Sequence, residues 1–279
     1  FGGEGMDYRV LGRTGLKVSQ VGFGCGAVGG LMISGEHKER VRAVAEALSL
    51  GINYFDTAPS YGDGVSETSL GRALKELNAD AYVGTKVGLQ AGARKDIRAG
   101  IIGSVERSLK CLGMERVDLI QLHNRLTPHP VPSQPDLAAE EVLGEVVEAF
   151  QGLREQGKVR FYGITGLGET EDLHRVIDAG AMDTVQVCYN LLNPSAGTSV
   201  SEGFYVQDFG GLIDRAAAQE TGVICIRVLA AGALTGVDER HPVAIPSVDP
   251  IASGPDYSGD VGNAKSFDFL VREGYTEDL

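Results

Sequence analysis

A parallel α/β barrel is the fold class the sequence predicts: a (β/α)8 TIM barrel with an N-terminal β-hairpin, stopping short of its eighth strand. Three observations point there. Seven short apolar runs rich in Val, Ile, Tyr and Phe recur along the chain, nearly continuous in apolar character, as strands buried on both faces are. Between them lie stretches whose apolar residues fall on one helical face and stop at a glycine. The 279 residues suit a single domain of this kind, which needs about 250.

In chain order, residues 1–5 lack the basic and apolar regions of a secretion signal and read as foreign to the native chain, with Met6 as its start. Residues 6–279 then form one barrel domain. Residues 11–16 (LGRTGL), between Tyr8 and Lys17, suggest a small hairpin able to plug the N-terminal end of the barrel. The expected strands are 18–24, 52–57, 81–87, 117–123, 159–165, 184–190 and 223–229. The intervening helices carry Val41, Val44 and Leu48 before Gly51; Leu70, Leu74 and Leu77 after Ser66 as N-cap; and Ile101, Val105 and Leu112 before Gly113. Three more carry Leu143, Val147 and Leu153 before Gly157; Leu173, Val176 and Ile177 before Gly180; and Leu212, Ile213 and Ala216 before Gly222. Such alternation means right-handed βαβ units and a parallel sheet. Residues 124–135 and 238–262 read as loops leaving C-terminal strand ends, where barrel enzymes keep their active sites. Residues 264–273 read as helical, and Thr276, followed by Glu277 and Asp278, is an N-cap candidate just where the chain stops at Leu279. The C-terminal helix and strand of the barrel are therefore expected to be missing.

Composition narrows the function classes. The chain is 43% hydrophobic and 23% charged, as ordinary globular domains are, and no apolar run approaches the roughly 20 residues of a membrane span. Its net charge of −13 argues against nucleic acid or an anionic membrane as partner, yet leaves small anionic ligands open. The four cysteines, Cys25, Cys111, Cys188 and Cys225, are far apart and read as reduced thiols of a cytoplasmic protein. Five histidines show no metal-ligand spacing, so no metal is expected.

Three apolar runs finish with ionisable residues: the second at Asp56, with Tyr61 in the loop beyond, the third at Lys86, and the fourth at His123. Each has a bland reading. Asp at a strand end is usually a turn or cap residue, a loop Tyr usually packs, and a lone strand-end His is more often a hydrogen-bonded core residue than a catalyst. Lysine closing a buried strand is costly unless paired, and Asp56 is the expected partner. Because these strands are neighbours in a singly wound barrel, all four side chains can share one cavity. There an ammonium would favour the phenolate form of Tyr61, and Asp56 would hold Lys86. Tyr61 could give a proton to a carbonyl oxygen as hydride reaches the carbon, while a neutral His123 orients that oxygen. In this reading none of the four acts as a covalent nucleophile, so the hydride has to come from a cofactor.

Residues 51–62 (GINYFDTAPSYG), 84–87 (GTKV) and 122–124 (LHN) also resemble the aldo-keto reductases in identity and spacing. So do 11–19 (LGRTGLKVS), 157–166 (GKVRFYGITG), 189–193 (YNLLN) and 230–236 (AAGALTG), and the resemblance covers nearly the whole chain from Met6 onward. It implies a (β/α)8 barrel that binds NAD(P)H in an extended form, NADP(H) in preference to NAD(H), without a Rossmann glycine motif. It implies Tyr61 as general acid/base, with Asp56, Lys86 and His123 as its partners. Gly24, Cys25, Asp56, Thr165, Gly166 and Gln186 would lie near the nicotinamide, and Arg227, Val228, Leu229 and Ala231 along the pyrophosphate. Three departures stand out. Thr165-Gly166 replaces the frequent Ser-Asn pair, the stacking aromatic is replaced near Ile226 or Arg227, and the region that grips the adenosine lies beyond Leu279.

These readings imply an NAD(P)-dependent oxidoreductase for aldehydes, ketones or sugars and their alcohols, with a small-molecule substrate and with oligomerisation left open. A weakly catalytic cofactor-binding sensor or regulatory barrel is the alternative. A barrel isomerase or lyase using Lys86 as a Schiff base is a third.

Overall fold

The computed structural model describes residues 5–274 apart from 132, 238 and 247. The helix-start candidates Thr276, Glu277 and Asp278 lie outside the described residues, as do residues 1–4.

The N-terminal hairpin forms from β1 (Tyr8–Val10) and β2 (Lys17–Ser19), antiparallel with Tyr8 opposite Ser19. The main sheet is parallel and seven-stranded: β3 (Phe23–Gly24), β4 (Tyr54–Asp56), β5 (Tyr82–Val87), β6 (Val117–Leu122), β7 (Val159–Thr165), β8 (Thr184–Cys188) and β9 (Gly222–Ile226) follow one another in chain order. No eighth strand joins β9 to β3 among the described residues. The row is nonetheless curled, because Gln186 on β8 donates to Asp56 on β4 at 2.8 Å, four strands away.

The helices are α1 (Leu31–Ser34), α2 (His37–Ser49), α3 (Val65–Glu76), α4 (Ile97–Leu112), α5 (Ala139–Glu141), α6 (Val147–Glu155), α7 (Thr170–Asp178), α8 (Leu212–Ala218), α9 (Tyr257–Ala264) and α10 (Asp268–Arg272), with a π-helical segment Val142–Val146 joining α5 to α6. Strand alternation divides the sheet's two faces. Phe55, Val83, Ile120, Leu122, Ile164 and Val185 point outward into one core with Leu70, Val105, Phe150, Val176 and Leu212 of the helices. The other face, which lines the barrel, carries Tyr54, Asp56, Lys86, Gln121, Thr184 and Gln186, all but Asp56 buried. Apolar packing outside thus frames a polar interior.

Several boundaries differ from expectation for local reasons. The 18–24 run is broken, since the Ser19 amide donates to Asn53 Oδ1 at 2.7 Å and its hydroxyl to the Val21 carbonyl; the run is shared between β2 and β3. Ser66 is not the N-cap of α3. Gly64, at φ 83°, holds that place, and Ser66 lies inside the helix. Glu220, at φ 52°, makes the left-handed turn after α8, which leaves Gly222 to begin β9. The last strand ends at Ile226 because Arg227 adopts φ 57°. Part of the expected 238–262 loop is α9, capped by Asp256, whose side chain accepts from the Gly259 amide at 2.7 Å.

Candidate active site

Strands β4, β5 and β6 bring Asp56, Lys86 and His123 to one rim, as parallel neighbours must. Their registers place Asp56 opposite Gly84 and Lys86 opposite Gln121. Lys86 is 1% exposed, and its ammonium donates to Asp56 Oδ2 at 2.5 Å and to the Thr57 carbonyl at 2.8 Å. Burial by itself pushes Lys86 toward neutrality. The Asp56 carboxylate first, then the Tyr61 phenol, outweigh that penalty, so the lysine is held above its ordinary value and stays charged.

Tyr61 comes from the turn between β4 and α3, where its amide donates to the Ala58 carbonyl at 3.1 Å and its own carbonyl accepts from the Ser66 amide at 3.2 Å. These bonds aim the half-buried phenol ring beneath Lys86, whose Nζ lies 4.9 Å from the ring centroid. His123 meets the same ring edge-on, with centroids 6.1 Å apart and planes at 87°. Burial, and then the Lys86 charge, push the His123 imidazole down to about 4, so it is neutral near pH 7. The four residues expected to converge are therefore together: an ion pair, a phenol and a neutral imidazole around one space. Such a set can hold a phenol against an ammonium and present neutral donors to an oxygen.

Behind this rim lie partners of Asp56 that the sequence reading did not assign to it. Asp56 Oδ1 accepts from Gln186 Nε2 at 2.8 Å and from the hydroxyl of Tyr54, a buried residue one layer below, at 3.4 Å. Strand alternation from Asp56 already places Tyr54 on its face, and a glycine inside a strand, Gly84, is the usual mark of a close approach.

The residues assigned to cofactor by resemblance divide. Gly24 closes β3 with open space around its Cα, and Gly26 lies against the Tyr61 ring. Cys25 is buried, its thiol pushed up by that burial, and its amide donates to the Asp56 carbonyl at 2.8 Å. Thr165 is buried with its hydroxyl on the Leu122 carbonyl, and the Gly166 amide donates to the Gln186 carbonyl at 2.7 Å. Gln186 is turned to Asp56. Just past the end of β9, Arg227, Ala230 and Ala231 have φ 57°, 46° and 60°, three non-glycine residues within five positions in left-handed backbone. Such strain persists only where surroundings enforce it and gathers at ligand sites. Val228 and Leu229 are exposed there, and the Arg227 guanidinium, partly buried and lowered by that burial, donates to the Asp249 carbonyl at 3.2 Å. A partly desolvated cation at the end of β9, within electrostatic reach of Tyr61, fits a phosphate-bearing cofactor. Among the described residues no group of three or more His, Cys, Asp or Glu is placed to hold a metal, and no helix is long and apolar enough to cross a membrane.

Comparison with known proteins gives the family. The sequence model of the Aldo/keto reductase family matches residues 20–248. The chain is similar to L-galactose dehydrogenase of Arabidopsis thaliana, 32% identical over 244 residues, covering 86% of this chain and 71% of that protein. It is also similar to an aldo-keto reductase of Bacillus subtilis, 34% identical over 203 residues, which are 70% of this chain and 57% of that one. Among solved structures, a glycerol dehydrogenase from Gluconobacter oxydans matches with a TM-score of 0.65 at 27% identity, covering 95% of this chain and 78% of that one. This chain belongs to the aldo/keto reductase family and is an oxidoreductase by that membership.

Proposed function

We propose that the protein interconverts aldehydes or ketones, sugars among them, with their alcohols, using NADP(H) in preference to NAD(H), with Tyr61 as general acid/base. The observation that carries this reading is the buried Lys86 ammonium, clamped by Asp56 at 2.5 Å and set 4.9 Å from the Tyr61 ring. When bound, a nicotinamide cofactor would supply the hydride that a carbonyl carbon needs, or take up the one an alcohol gives. Gly24, Cys25, Thr165, Gly166 and Gln186 would border its ring end, the buried ones through backbone alone. Arg227, Val228, Leu229 and Ala231 would follow its phosphates.

In the reducing direction Tyr61 gives its hydroxyl proton to the substrate oxygen, and the resulting phenolate is stabilised by Lys86. His123, neutral in this setting, donates to the same oxygen as negative charge builds there. Asp56 keeps Lys86 in place and charged. In the oxidising direction the proton moves from alcohol to Tyr61. The substrate in this reading is a small molecule, and the free Cys25, Cys111, Cys188 and Cys225 support a cytoplasmic protein.

Tyr61→Phe removes the proton and keeps the ring. Turnover should fall by about 10²–10⁴-fold, the usual worth of a positioned acid/base, with cofactor affinity unchanged. Consumption of NADPH with a series of carbonyls and cofactor titration by fluorescence measure the two. Full activity in that variant would refute the role of Tyr61. Cofactor binding with no turnover in the parent protein would favour a sensor barrel.

A further inference from the structure

Tyr54 places a phenol hydroxyl inside the barrel. It is 5% exposed, on the barrel-lining face of β4, and burial pushes its hydroxyl well above the ordinary phenol value, with the Asp56 carboxylate adding to the shift. It therefore remains a hydrogen-bond donor throughout the working range. Burying a hydroxyl costs free energy unless it is bonded, and the acceptor it finds is Asp56 Oδ1 at 3.4 Å. The interior is shaped to admit it. Gly84 stands opposite Asp56 on β5, and a Cβ there would collide with the Tyr54 hydroxyl. On the other side, a Cβ at Gly22 would come 3.1 Å from Tyr54 Cδ1. Two glycines thus flank one ring, and the hydroxyl end lies under the carboxylate that holds Lys86.

We propose that Tyr54 is a positioning residue for the Asp56–Lys86 pair, with Gly84 as the notch that lets it reach Asp56. With Gln186, Tyr54 occupies Oδ1, which fixes the carboxylate rotation that leaves Oδ2 facing the Lys86 ammonium. It touches neither substrate nor cofactor and acts through Asp56. This inference rests on the proposed catalytic role of Lys86 and Tyr61 for its effect on rate, but its effect on Lys86 is independent of that role.

Two variants and two readouts test it. Tyr54→Phe keeps the ring and removes the donor. Gly84→Ala keeps the donor and fills the notch. Each should lower kcat for carbonyl reduction about three- to tenfold, the factor one buried hydrogen bond supplies, while KM stays within twofold. The double variant should be no slower than the worse single one, because both remove the same contact. Independently of turnover, Lys86 should be acetylated by acetic anhydride several-fold faster in Tyr54→Phe than in the parent, as the loosened pair leaves more free amine. If Lys86 labelling is unchanged in Tyr54→Phe, the proposal fails whatever happens to kcat; if Gly84→Ala fails to fold, Tyr54→Phe decides alone. Faster labelling without change in kcat would uphold the positioning of Lys86 and refute instead its part in catalysis.

Discussion

At the scale of single residues, burial and neighbouring charge together set which groups of the site are ionised. His123 shows this most directly. Its imidazole is pushed down to about 4 from 6.5, by burial first and by Lys86 second. Between those two pH values the unfolded chain binds a proton that the folded one refuses. The stability tied to the neutral ring is therefore complete above pH 6.5 and is lost as pH falls toward 4, about 3 kcal/mol at most. Chemical denaturation at a series of pH values should show that slope in the parent protein, and His123→Asn should flatten it. An unchanged slope would mean the ring is not sealed by its neighbours. The sequence shows His123, Asp56, Lys86 and Tyr61 because strand ends and loops announce themselves where apolar runs stop. It does not show that Gln186 turns to Asp56, since that bond crosses four strands and depends on how tightly the sheet curls.

Among the elements, α3 is what carries the Tyr61 turn to its place. Its apolar face was legible from Leu70, Leu74 and Leu77, but its first turn was not. Ser66 resembles an N-cap because a short hydroxyl at a helix start serves equally for capping and for a tertiary bond. Here it donates to the Cys25 carbonyl at 2.9 Å and pairs with Thr57 Oγ1 at 2.9 Å. Next to it Glu67 is fully buried, with Oε1 accepting from Thr85 Oγ1 at 2.6 Å and Oε2 without a partner among the described residues. Burial raises its carboxyl, so folding favours the neutral acid more than the unfolded chain does. Such a group contributes stability at low pH that is lost as pH rises through its folded-state value, the opposite of His123. Glu67→Gln preserves the shape without the charge. It should leave the melting temperature at pH 7 the same or higher, whereas Glu67→Ala should lower stability by about 2–4 kcal/mol by opening a cavity and stranding Thr85. Thermal unfolding of both variants at pH 5 and pH 8 checks this, and a large loss in Glu67→Gln would show that the carboxylate form is the one the fold requires.

For the whole molecule, the βα alternation and the barrel it implies were legible because period and punctuation are local, and the particular contacts that cross the barrel were not, because they belong to distant pairs. The hairpin shows the difference. Residues 11–16 announced a hairpin able to plug the N-terminal end of the barrel, but not that it meets the chain just before β4 and just before β9. The Ser19 amide donates to Asn53 Oδ1 at 2.7 Å just before β4, and the Arg13 amide donates to the Glu220 carbonyl at 2.7 Å just before β9. Gly12, at φ 49°, makes this fit possible, since a Cβ there would collide with the Gly222 backbone. Gly15, at φ 68°, has the same left-handed conformation but open space around it. Comparing Gly12→Ala with Gly15→Ala therefore separates wedging from backbone strain. Gly15→Ala should cost about 1 kcal/mol for the left-handed alanine alone. Gly12→Ala should cost that and a further 1–3 kcal/mol or so for pushing the hairpin off β9, with faster amide exchange along β9 in that variant only. Both should retain turnover at temperatures where they remain folded, because the proposed catalytic rim is at the opposite end of the strands. Equal losses in the two variants would mean the hairpin rests on the barrel without bracing it.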